Sequence, residues 1–560
     1  MSPAIDPVAL EIFKNLYISV AEEMGLTLGR TAYSPNIKER RDYSCACFLA
    51  DGRMIAQAAH IPVHLGAMPA SVRAALETLG AWRPGDIVVL NDPYLGGTHL
   101  PDITMVSPVF AAGNEAPTFF VASRAHHADV GGAIPGSMGL ATEIFQEGLI
   151  IPPVKLVDAW QTNQALMDLI LRNVRTPCER GGDLAAQMAA QRVGEQRLLQ
   201  IVGRYGLDEA LGHANALLTY SEQMTRTAIA HIPRGNFTFV DEMDDDGLPA
   251  AKPGSTVRPP TIHVAVTVDG DSMTVDYSGS SPAVAGPLNA VRAITESATW
   301  YVVRCIAQAL LAADAASSEA RSCADIPVNS GTFVPIRVVV PRGSLLDAEP
   351  PHAVAAGNVE TSQRIVDALL GAFAGALPGF IPAASQGTMN NLTVGGYDPQ
   401  RGVPFAYYET VGGGAGAGPA GDGLSGVHVH MTNTLNTPVE ALEYAYPIRV
   451  RRYALRKRSG GKGQFRGGDG LVREIECLVP ATIAILSERR RTRPYGLGDA
   501  ESGAAGQNLL VCQDREKELP GKVQQHVVAG TLLRLLTPGG GGWTAHGGGL
   551  QAQGEAGVPA

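Results

Sequence analysis

Glycine is the residue that most constrains what this 560-residue chain can fold into. It occurs 65 times, well above the roughly 7% usual in proteins, and it gathers in short segments that also carry His, Asp, Asn and Thr. Glycine is favoured where the backbone turns sharply or approaches a ligand closely. The bias therefore predicts either a sheet protein rich in loops or loops built around a ligand, and it leaves both explanations open.

Length, composition and charge exclude several classes of protein. A chain of 560 residues exceeds one ordinary domain, so we expect roughly two to four. Hydrophobic residues make up 45% and charged residues 18%, which is typical of a folded protein with a large core. A net charge of -10 argues against a nucleic-acid partner held through phosphates. No window is apolar over the roughly 18 residues of a membrane helix, so no membrane segment is expected.

The cysteines and the N-terminus predict a reducing compartment. Seven thinly spread cysteines do not indicate a disulfide framework. Cys45 and Cys47 form a CxC, but no second pair completes a zinc cage. The N-terminal segment carries acidic residues and lacks a basic stretch, so no signal peptide is expected. The simplest interpretation is a cytoplasmic protein.

The spacing of apolar residues predicts both helices and strands. Helical spacing covers 6–25, 68–80, most of 155–232, 290–313 and the end of 355–376. Alternation or short apolar runs predict strands within 43–57 (a hairpin turning at Asp51-Gly52), 87–90, 102–110, 118–125, 236–247 and 261–279. Gly203 or Gly206 is expected to end the middle helix of the helical region. The last 150 residues alternate strand with glycine-rich loop.

These patterns predict a fold of the α+β or mixed α/β class. We expect several mixed sheets, a helical middle region and a β-rich C-terminal part with glycine loops. The corresponding segments are an N-terminal α/β part at 1–154, a mainly helical segment at 155–234, a mixed part at 235–400, a β-rich part at 401–545 and a disordered tail at 546–560.

Two polar segments carry the first candidate site. GGTHLPDITM places His99 and Asp102 three residues apart behind two glycines, and SRAHHADVGG places His126 and His127 at the end of the next predicted strand. If these strands pair as a hairpin, their open ends coincide and the side chains come within reach. Two imidazoles with carboxylates suit Zn, Mn or Fe. Histidines in such loops also occur for structural reasons alone, so both interpretations remain open.

Other motifs narrow the possibilities. A fourth metal ligand would come from elsewhere, and the candidates are Asp42, His60 and His64. No GxxxxGK[ST] loop is present, so no ATP site of that kind is predicted. The run RRR at 489–491 predicts a solvated or interface patch rather than an anion site.

Longer motifs resemble the hydantoinase B/oxoprolinase family. The resemblance covers nearly the whole chain, in the family's order. The segments that carry it are IKERRDYSCACFLADGRMIAQAAHIPVHLGAMPASV, GDIVVLNDPYLGGTHLPDIT, SRAHHADVGGAIPGSMG, DYSGSSPAVAGPLNA, AAGNVETSQRIVDALLGA, VHVHMTNTLNTPVEALE, GGKGQFRGGDGLVREIE, LSERRRTRPYGL and LTPGGGG.

The resemblance implies a partner and a reaction. Family members work with a second large subunit of the hydantoinase A type, whose actin/hexokinase-like site binds ATP and Mg²⁺ and phosphorylates a carbonyl oxygen of the substrate. The B-type subunit then handles the activated species, by ring opening of a lactam or imide in the hydrolases or by carboxylation in the acetone and acetophenone carboxylases. A heterotetramer of two A-type and two B-type subunits is expected, with ATP bound by the partner.

The resemblance also implies a divalent metal in this subunit, held by two aspartates and two histidines. On this sequence the four positions are Asp42, His99, Asp102 and His126. His127 stays open as an alternative to His126, because adjacent residues of a strand point to opposite faces. His127 and Asp129 are otherwise candidates for acid–base catalysis, with a turn network at the strand end as the structural alternative.

Four further residues are candidates for binding substrate. His428 and His430 in VHVHMTNT alternate on a predicted strand and would face one side, although buried, satisfied histidines would show the same pattern. Asn358 and Glu360 in GNVETSQR would bind the substrate or order their loop.

Three functions follow from these observations. The leading one is the B-type subunit of an ATP-dependent cyclic amide hydrolase of the N-methylhydantoinase or 5-oxoprolinase kind, because the carboxylases usually have longer chains and an extra small zinc-binding subunit. The corresponding subunit of an ATP-dependent ketone carboxylase is the second. A non-catalytic scaffold for the kinase-like partner is the third. Bicarbonate dependence separates the first two, and variants of the metal site separate the third.

Overall fold

The computed structural model describes residues 6–58, 60–111, 113–249, 258–314, 325–512 and 515–545. The helices of these residues are α1 (Pro7–Thr31), α2 (Pro35–Lys38), α3 (Ala67–Thr78), α4 (Gln164–Arg172), α5 (Pro177–Tyr205), α6 (Leu207–Ala230), α7 (Arg292–Asp314), α8 (Ser362–Ala376) and α9 (Val439–Ala445). The strands are β1 (Tyr43–Leu49), β2 (Met54–Gln57), β3 (Ile87–Leu90), β4 (Asp102–Val109), β5 (Phe119–His126), β6 (Val154–Asp158), β7 (Gln161–Thr162), β8 (Gly235–Glu242), β9 (Thr261–Asp269), β10 (Ser272–Asp276), β11 (Ile336–Val339), β12 (Asn391–Asp398), β13 (Val403–Glu409), β14 (Ile448–Arg456), β15 (Gly470–Cys477), β16 (Ala481–Leu486), β17 (Gln507–Cys512), β18 (Arg515–Leu519), β19 (Lys522–Val527) and β20 (Leu532–Leu536). The predicted α+β class is confirmed.

A seven-stranded antiparallel sheet forms the N-terminal part, in the order β2-β1-β5-β4-β3-β6-β7. Both predicted hairpins are present. β1 turns into β2 at Asp51-Gly52, where Gly52 has a φ of 83° that suits glycine. β4 pairs with β5 so that Asp102 lies directly opposite His126. The open ends of the second hairpin therefore coincide, as predicted.

Three long helices cover one face of this sheet. α1 begins where the Asp6 carboxylate accepts the Val8 N–H at 3.1 Å, which satisfies one of the free donors at a helix start. It continues past its predicted end at residue 25, because apolar spacing persists to the buried Leu28. α5 ends at Gly206, one of the two glycines predicted to end it. Apolar side chains of α1, α5 and α6 then pack on β1 and β5 in one cluster.

The opposite face of the sheet packs on a second layer. α7 and α8 belong to a hydrophobic cluster that also includes residues of the N-terminal sheet and of a four-stranded sheet ordered β11-β10-β9-β8. A π-helical turn, Gly357–Thr361, leads into α8. This packing brings that turn to the open end of the β4–β5 hairpin, where Asn358 contacts His99.

The C-terminal part contains two more sheets, ordered β13-β12-β16-β19 and β14-β15-β20-β17-β18, with a hydrophobic cluster between them. Glycine-rich segments 411–427, 459–470 and 538–543, which we call the glycine layer, connect these strands. Their backbones bond to one another directly: Gly540 N–H donates to Gly468 O, Gly468 N–H to Ala415 O and Gly461 N–H to Gly540 O, each at 2.9 Å. Here the glycines serve backbone-to-backbone packing.

The arginine run 489–491 corrects one prediction. Arg489 is buried and its guanidinium donates to Asp367 at 2.6 Å and to Asp241 at 2.8 Å. Arg490 is buried as well by its bonds to Asn390 and Asn508, so the expectation of a solvated patch is wrong for these two residues. Charge composition alone does not show that carboxylates from distant strands and helices neutralise a basic run.

The helices do not form a membrane anchor within the described ranges, because none of them is long and apolar enough to cross a bilayer. The predicted tail at 546–560 lies outside the described residues. The division of the chain at 154, 234 and 400 stays a prediction.

Candidate metal centre

Three buried side chains converge at the open end of the β4–β5 hairpin. His99 Nε2 lies 3.0 Å and His126 Nδ1 lies 3.2 Å from the same oxygen, Asp102 Oδ1. One ligand atom from each residue lies within 4.8 Å of the other two. This triad is the one group of three or more His, Cys, Asp and Glu residues with metal-site spacing in the described part of the chain.

Local structure explains why these residues meet. Asp102 begins β4 and His126 ends β5, and the strand register places them face to face. Gly96 and Gly97 allow the preceding turn: a Cβ at Gly97 would lie 2.5 Å from the Asn91 carbonyl, so a larger residue cannot occupy it. The turn then folds His99 back over the start of β4.

The donor atoms fit a cation. His99 Nδ1 faces the Ala355 carbonyl at 3.3 Å, so we assign the ring proton to Nδ1 and the lone pair to Nε2. Asp102 Oδ1 and His126 Nε2 are buried and have no hydrogen-bond partner among the described residues, although Oδ1 lies close to two imidazoles. Lone pairs that converge without a shared proton are costly in a protein interior unless a positive ion lies among them. Two nitrogens and one oxygen suit Zn, Mn or Fe.

The electrostatics agree with this arrangement. Burial raises the pKa of Asp102, but the charges of His99 and His64 and the hydrogen bond of His126 outweigh it, so that the pKa lies well below its usual value. Burial lowers the pKa of His126, although Asp102 and Asp42 counter it. An ionised carboxylate beside a neutral imidazole is the protonation state in which both bind a metal.

Of the residues considered for a fourth ligand, two lie beside the triad. His64 Nε2 is 3.4 Å from Asp102 Oδ2, and its other nitrogen lies 3.0 Å from the Ser44 hydroxyl. Asp42 is buried, and its backbone carbonyl accepts the His126 N–H at 3.0 Å, but its carboxylate is not among the triad's donor atoms. His60 instead accepts the Cys45 N–H. The role of Asp42 as a ligand stays a prediction.

The structure separates His126 from His127. His127 faces away from the triad, as adjacent positions of an extended backbone require, and its Nε2 lies 2.9 Å from the Gln187 side chain. Asp129 accepts from the Gly131 and Gly136 N–H groups and from Arg175. These are the contacts of a turn network at the strand end, and the catalytic role of His127 and Asp129 stays a prediction.

The four substrate-binding candidates lie in two places. Asn358 contacts the triad, with Nδ2 at 3.1 Å from His99 Nε2. Glu360 points elsewhere, since Oε1 accepts from Met389 N–H at 3.0 Å and Asn391 at 2.7 Å. Burial raises the pKa of Glu360 to about 7.

The predicted strand that carries His428 and His430 is wrong. Beyond a single bridge at Val427 this segment forms no strand, and His430 takes a φ of 55°, which ends the alternation. His430 Nε2 faces Asp367 Oδ1 across 3.9 Å. Burial lowers the pKa of His430 to about 4, and burial with the nearby charge of Arg40 lowers that of His428 to about 3, so both imidazoles are neutral at pH 7.

Two residues that the sequence did not single out support the triad. Tyr408 stacks on the His126 ring, with centroids 4.5 Å apart and planes 16° from parallel. Arg40, fully buried, lies over the Tyr408 ring at 5.1 Å and donates to Thr410 at 2.7 Å. This stack fixes the orientation of the His126 ring. The only local signal was the basic pair before Asp42, which does not show what it contacts.

A buried carboxyl near the triad gives a pH prediction. Glu147 Oε1 accepts the Val354 and Ala355 N–H groups at 2.9 Å each, and burial raises its pKa from 4.5 to about 8. Between these values the unfolded chain loses a proton that the folded chain keeps, so this residue makes the fold less stable as pH rises. We expect Glu147→Gln to remove up to about 1.4 kcal/mol of that loss per pH unit between pH 5 and 8.

Urea unfolding of wild type and variant at several pH values measures this difference. Glu143→Gln, an exposed change close by in the chain, serves as the control and should run parallel to wild type. If Glu147→Gln also runs parallel to wild type, the Glu147 carboxyl is ionised in the folded chain and the prediction is wrong.

Similar proteins of known name share this fold and sequence. Residues 6–546 match the family described as hydantoinase B/oxoprolinase. The chain is 40% identical over 568 residues to 5-oxoprolinase 1 of Arabidopsis thaliana, a match that covers 96% of this chain and 42% of that protein. It thus spans about two fifths of the length of that relative.

Two further comparisons cover both partners almost completely. A protein of Pseudomonas sp. (strain NS671), whose name assigns it to a D-/L-hydantoinase as the B-type subunit, is 32% identical over 96% of this chain and 90% of its own length. The crystal structure of an ATP-dependent caprolactamase from Pseudomonas jessenii has a TM-score of 0.85 and 27% identity, over 97% of this chain and 91% of that one.

Proposed function

Because the chain belongs to the hydantoinase B/oxoprolinase family, we propose that it is the B-type subunit of an ATP-dependent cyclic amide hydrolase. Its substrate would be a lactam, a hydantoin or 5-oxoproline, phosphorylated on the carbonyl oxygen by an A-type partner. The observation that carries this proposal is the buried triad of His99, Asp102 and His126, whose donor atoms converge.

The proposed metal set is Asp42, His99, Asp102 and His126. A divalent ion held there would supply a hydroxide nucleophile near neutral pH or polarise the oxygen of the amide. The chain's own groups hold the donors in place: the Thr98 hydroxyl donates to Asp102 Oδ2 at 2.7 Å and the Ala355 carbonyl orients His99.

The chemistry requires activation before hydrolysis. An unactivated amide resists water, whereas O-phosphorylation leaves an imidate-like carbon that carries a good leaving group. Addition of hydroxide to that carbon, departure of phosphate and cleavage of the ring C–N bond then give the open product. Burial of the triad keeps bulk water away from this carbon and strengthens the local electrostatic interactions.

Other side chains have proposed roles as well. His428 and His430, both neutral with buried ring nitrogens, are proposed to bind the substrate together with Glu360, whose Oε2 has no hydrogen-bond partner among the described residues. His127 and Asp129 are proposed acid–base groups.

The partner is proposed to bind ATP and Mg²⁺. The relative whose name makes it the B-type component of a hydantoinase implies a second subunit, and this sequence has no Walker A motif to serve instead. A heterotetramer of two A-type and two B-type subunits is the proposed assembly. The additional length of the Arabidopsis 5-oxoprolinase would accommodate an A-type region in the same polypeptide.

Co-expression of this chain with the A-type subunit tests the function. We expect ring opening of 5-oxoproline, a hydantoin or caprolactam that requires ATP and both subunits, and that does not depend on bicarbonate. ATP- and bicarbonate-dependent consumption of a ketone, with no lactam opened, would instead establish the carboxylase. Full ring-opening activity after replacement of triad residues would favour the scaffold and contradict metal-assisted hydrolysis in this subunit.

A further inference from the structure

The π-helical turn before α8 has a specific geometry at the triad. Gly357 packs so tightly on Asn289 that a Cβ there would lie 1.9 Å from the Asn289 carbonyl oxygen. Only glycine permits this contact, and the turn that follows adopts π geometry over Gly357–Thr361. Single π turns inside helices are rare and occur frequently at functional sites. This one directs Asn358 at the triad.

The Asn358 amide occupies the place where the donor atoms meet. Its Nδ2 lies 3.1 Å from His99 Nε2 and 3.5 Å from Asp102 Oδ2. His99 presents a lone pair at Nε2 because its Nδ1 faces the Ala355 carbonyl. The amide therefore lies against the same lone pairs that would bind a cation.

The other end of the amide is buried without a partner. Asn358 Oδ1 accepts no hydrogen bond from the described residues, which costs roughly 1–3 kcal/mol for a buried polar atom. Asn289, a structural asparagine close by, differs: its Nδ2 donates to Val284 O, Gly286 O and Ala353 O, and its Oδ1 accepts the Val284 N–H. A purely structural role for Asn358 would satisfy both ends in the same way.

We propose that Asn358 is an additional oxygen donor of the metal centre. In the metal-free chain its NH₂ group bonds to the lone pairs of His99 and Asp102. When a divalent ion takes those lone pairs, a half-turn of the amide exchanges NH₂ for Oδ1, and the carbonyl oxygen faces the ion. This inference rests on the proposed metal-dependent function and adds a residue to its ligand set.

The added donor has a consequence for metal choice. Amide carbonyl and carboxylate oxygens suit harder ions such as Mn²⁺, whereas closed four-coordinate sites of nitrogen and sulfur suit Zn²⁺. Asn358 beside Asp102 and the proposed ligand Asp42 makes the site richer in oxygen than in nitrogen. Loss of Asn358 should therefore weaken Mn²⁺ binding more than Zn²⁺ binding.

Competition titrations with Mn²⁺ or Zn²⁺ against a chelator test this on the full chain in complex with its A-type partner. Outer partners of metal ligands change affinity about 10- to 100-fold, so we expect Asn358→Ala to weaken Mn²⁺ binding at least tenfold and Zn²⁺ binding less. Asn358→Asp, of equal size, should restore Mn²⁺ binding or strengthen it. Gln363→Ala, which removes a buried amide one turn along α8 that contacts Val429 O instead, should leave both affinities unchanged.

The electron paramagnetic resonance spectrum of bound Mn²⁺ provides a second measurement, and it should differ between wild type and Asn358→Ala. Unchanged Mn²⁺ affinity and spectrum in Asn358→Ala would overturn the inference even if ring opening is observed. Weakened Mn²⁺ binding without ring opening of any cyclic amide would support the inference and reject the proposed function. A wild-type complex that binds neither ion would overturn the inference, and the ring-opening assay would then decide the function separately.

Discussion

Replacement of His99 by alanine is expected to remove the metal and at least about 99% of the ATP-coupled ring-opening activity. Even partners outside the ligand set change metal affinity or activity 10- to 100-fold, and His99 supplies one of the three converging donors. Its loss also leaves the Asp102 carboxylate buried without a neighbour that neutralises it, and a buried unpaired charge is costly. The affinity for metal should therefore fall more than one missing bond would imply.

Metal content and turnover should fall together in this variant. Elemental analysis and the coupled assay, both with the A-type partner present, measure the two quantities. His526→Ala is the matched control, because His526 is exposed on β19 and bonds to Thr482 outside the triad; it should keep both metal and activity. Turnover at the wild-type rate in His99→Ala would contradict a catalytic metal centre in this chain.

Replacement of Gly540 by alanine is expected to destabilise the protein by about 3 kcal/mol or more, the upper range for overpacked interiors. A Cβ at this position would lie 1.9 Å from Ala415 O, 2.3 Å from Ala415 C and 2.7 Å from Gly416 N. All three atoms belong to the backbone, so no rotamer change relieves the clash. Gly540 also bonds to Gly468 and Gly461 through its N–H and C=O, and any shift of the chain breaks those bonds.

The thermal unfolding midpoint and the yield of folded protein measure this effect. Gly421→Ala lies in the same glycine-rich region, yet a Cβ there meets no atom within 4 Å, so this control should melt within a few degrees of wild type. Equal stability of Gly540→Ala and wild type would show that the glycine layer is more loosely packed than the structure indicates.

Local patterns predicted much of the metal centre. The register of β4 and β5 follows from two apolar runs of equal length around one turn, and that register alone brings Asp102 opposite His126. The choice between His126 and His127 needed the structure, because alternation states that they face opposite ways but not which face is which. The helices were predictable for the same reason, since their apolar spacing is local.

Contacts between distant segments were not predictable. Asn358 lies 259 residues from His99 along the chain, and its approach depends on how α8 packs between two sheets. The strand expected around His430 failed because alternation does not show that a left-handed backbone conformation interrupts it. The glycines of the glycine layer were visible at once, but the backbone that each one faces, such as Ala415 beside Gly540, belongs to another segment.

An anomalous diffraction experiment on crystals of the chain with its A-type partner, prepared without chelator, tests the metal centre most directly. Data collected on both sides of the absorption edges of Mn, Fe and Zn identify the ion and its position together. The account predicts one strong peak within bonding distance of His99, Asp102 and His126, and no such peak in crystals of His99→Ala. A well-ordered triad with no anomalous peak, in crystals of a complex that opens its substrate at full rate, would contradict it.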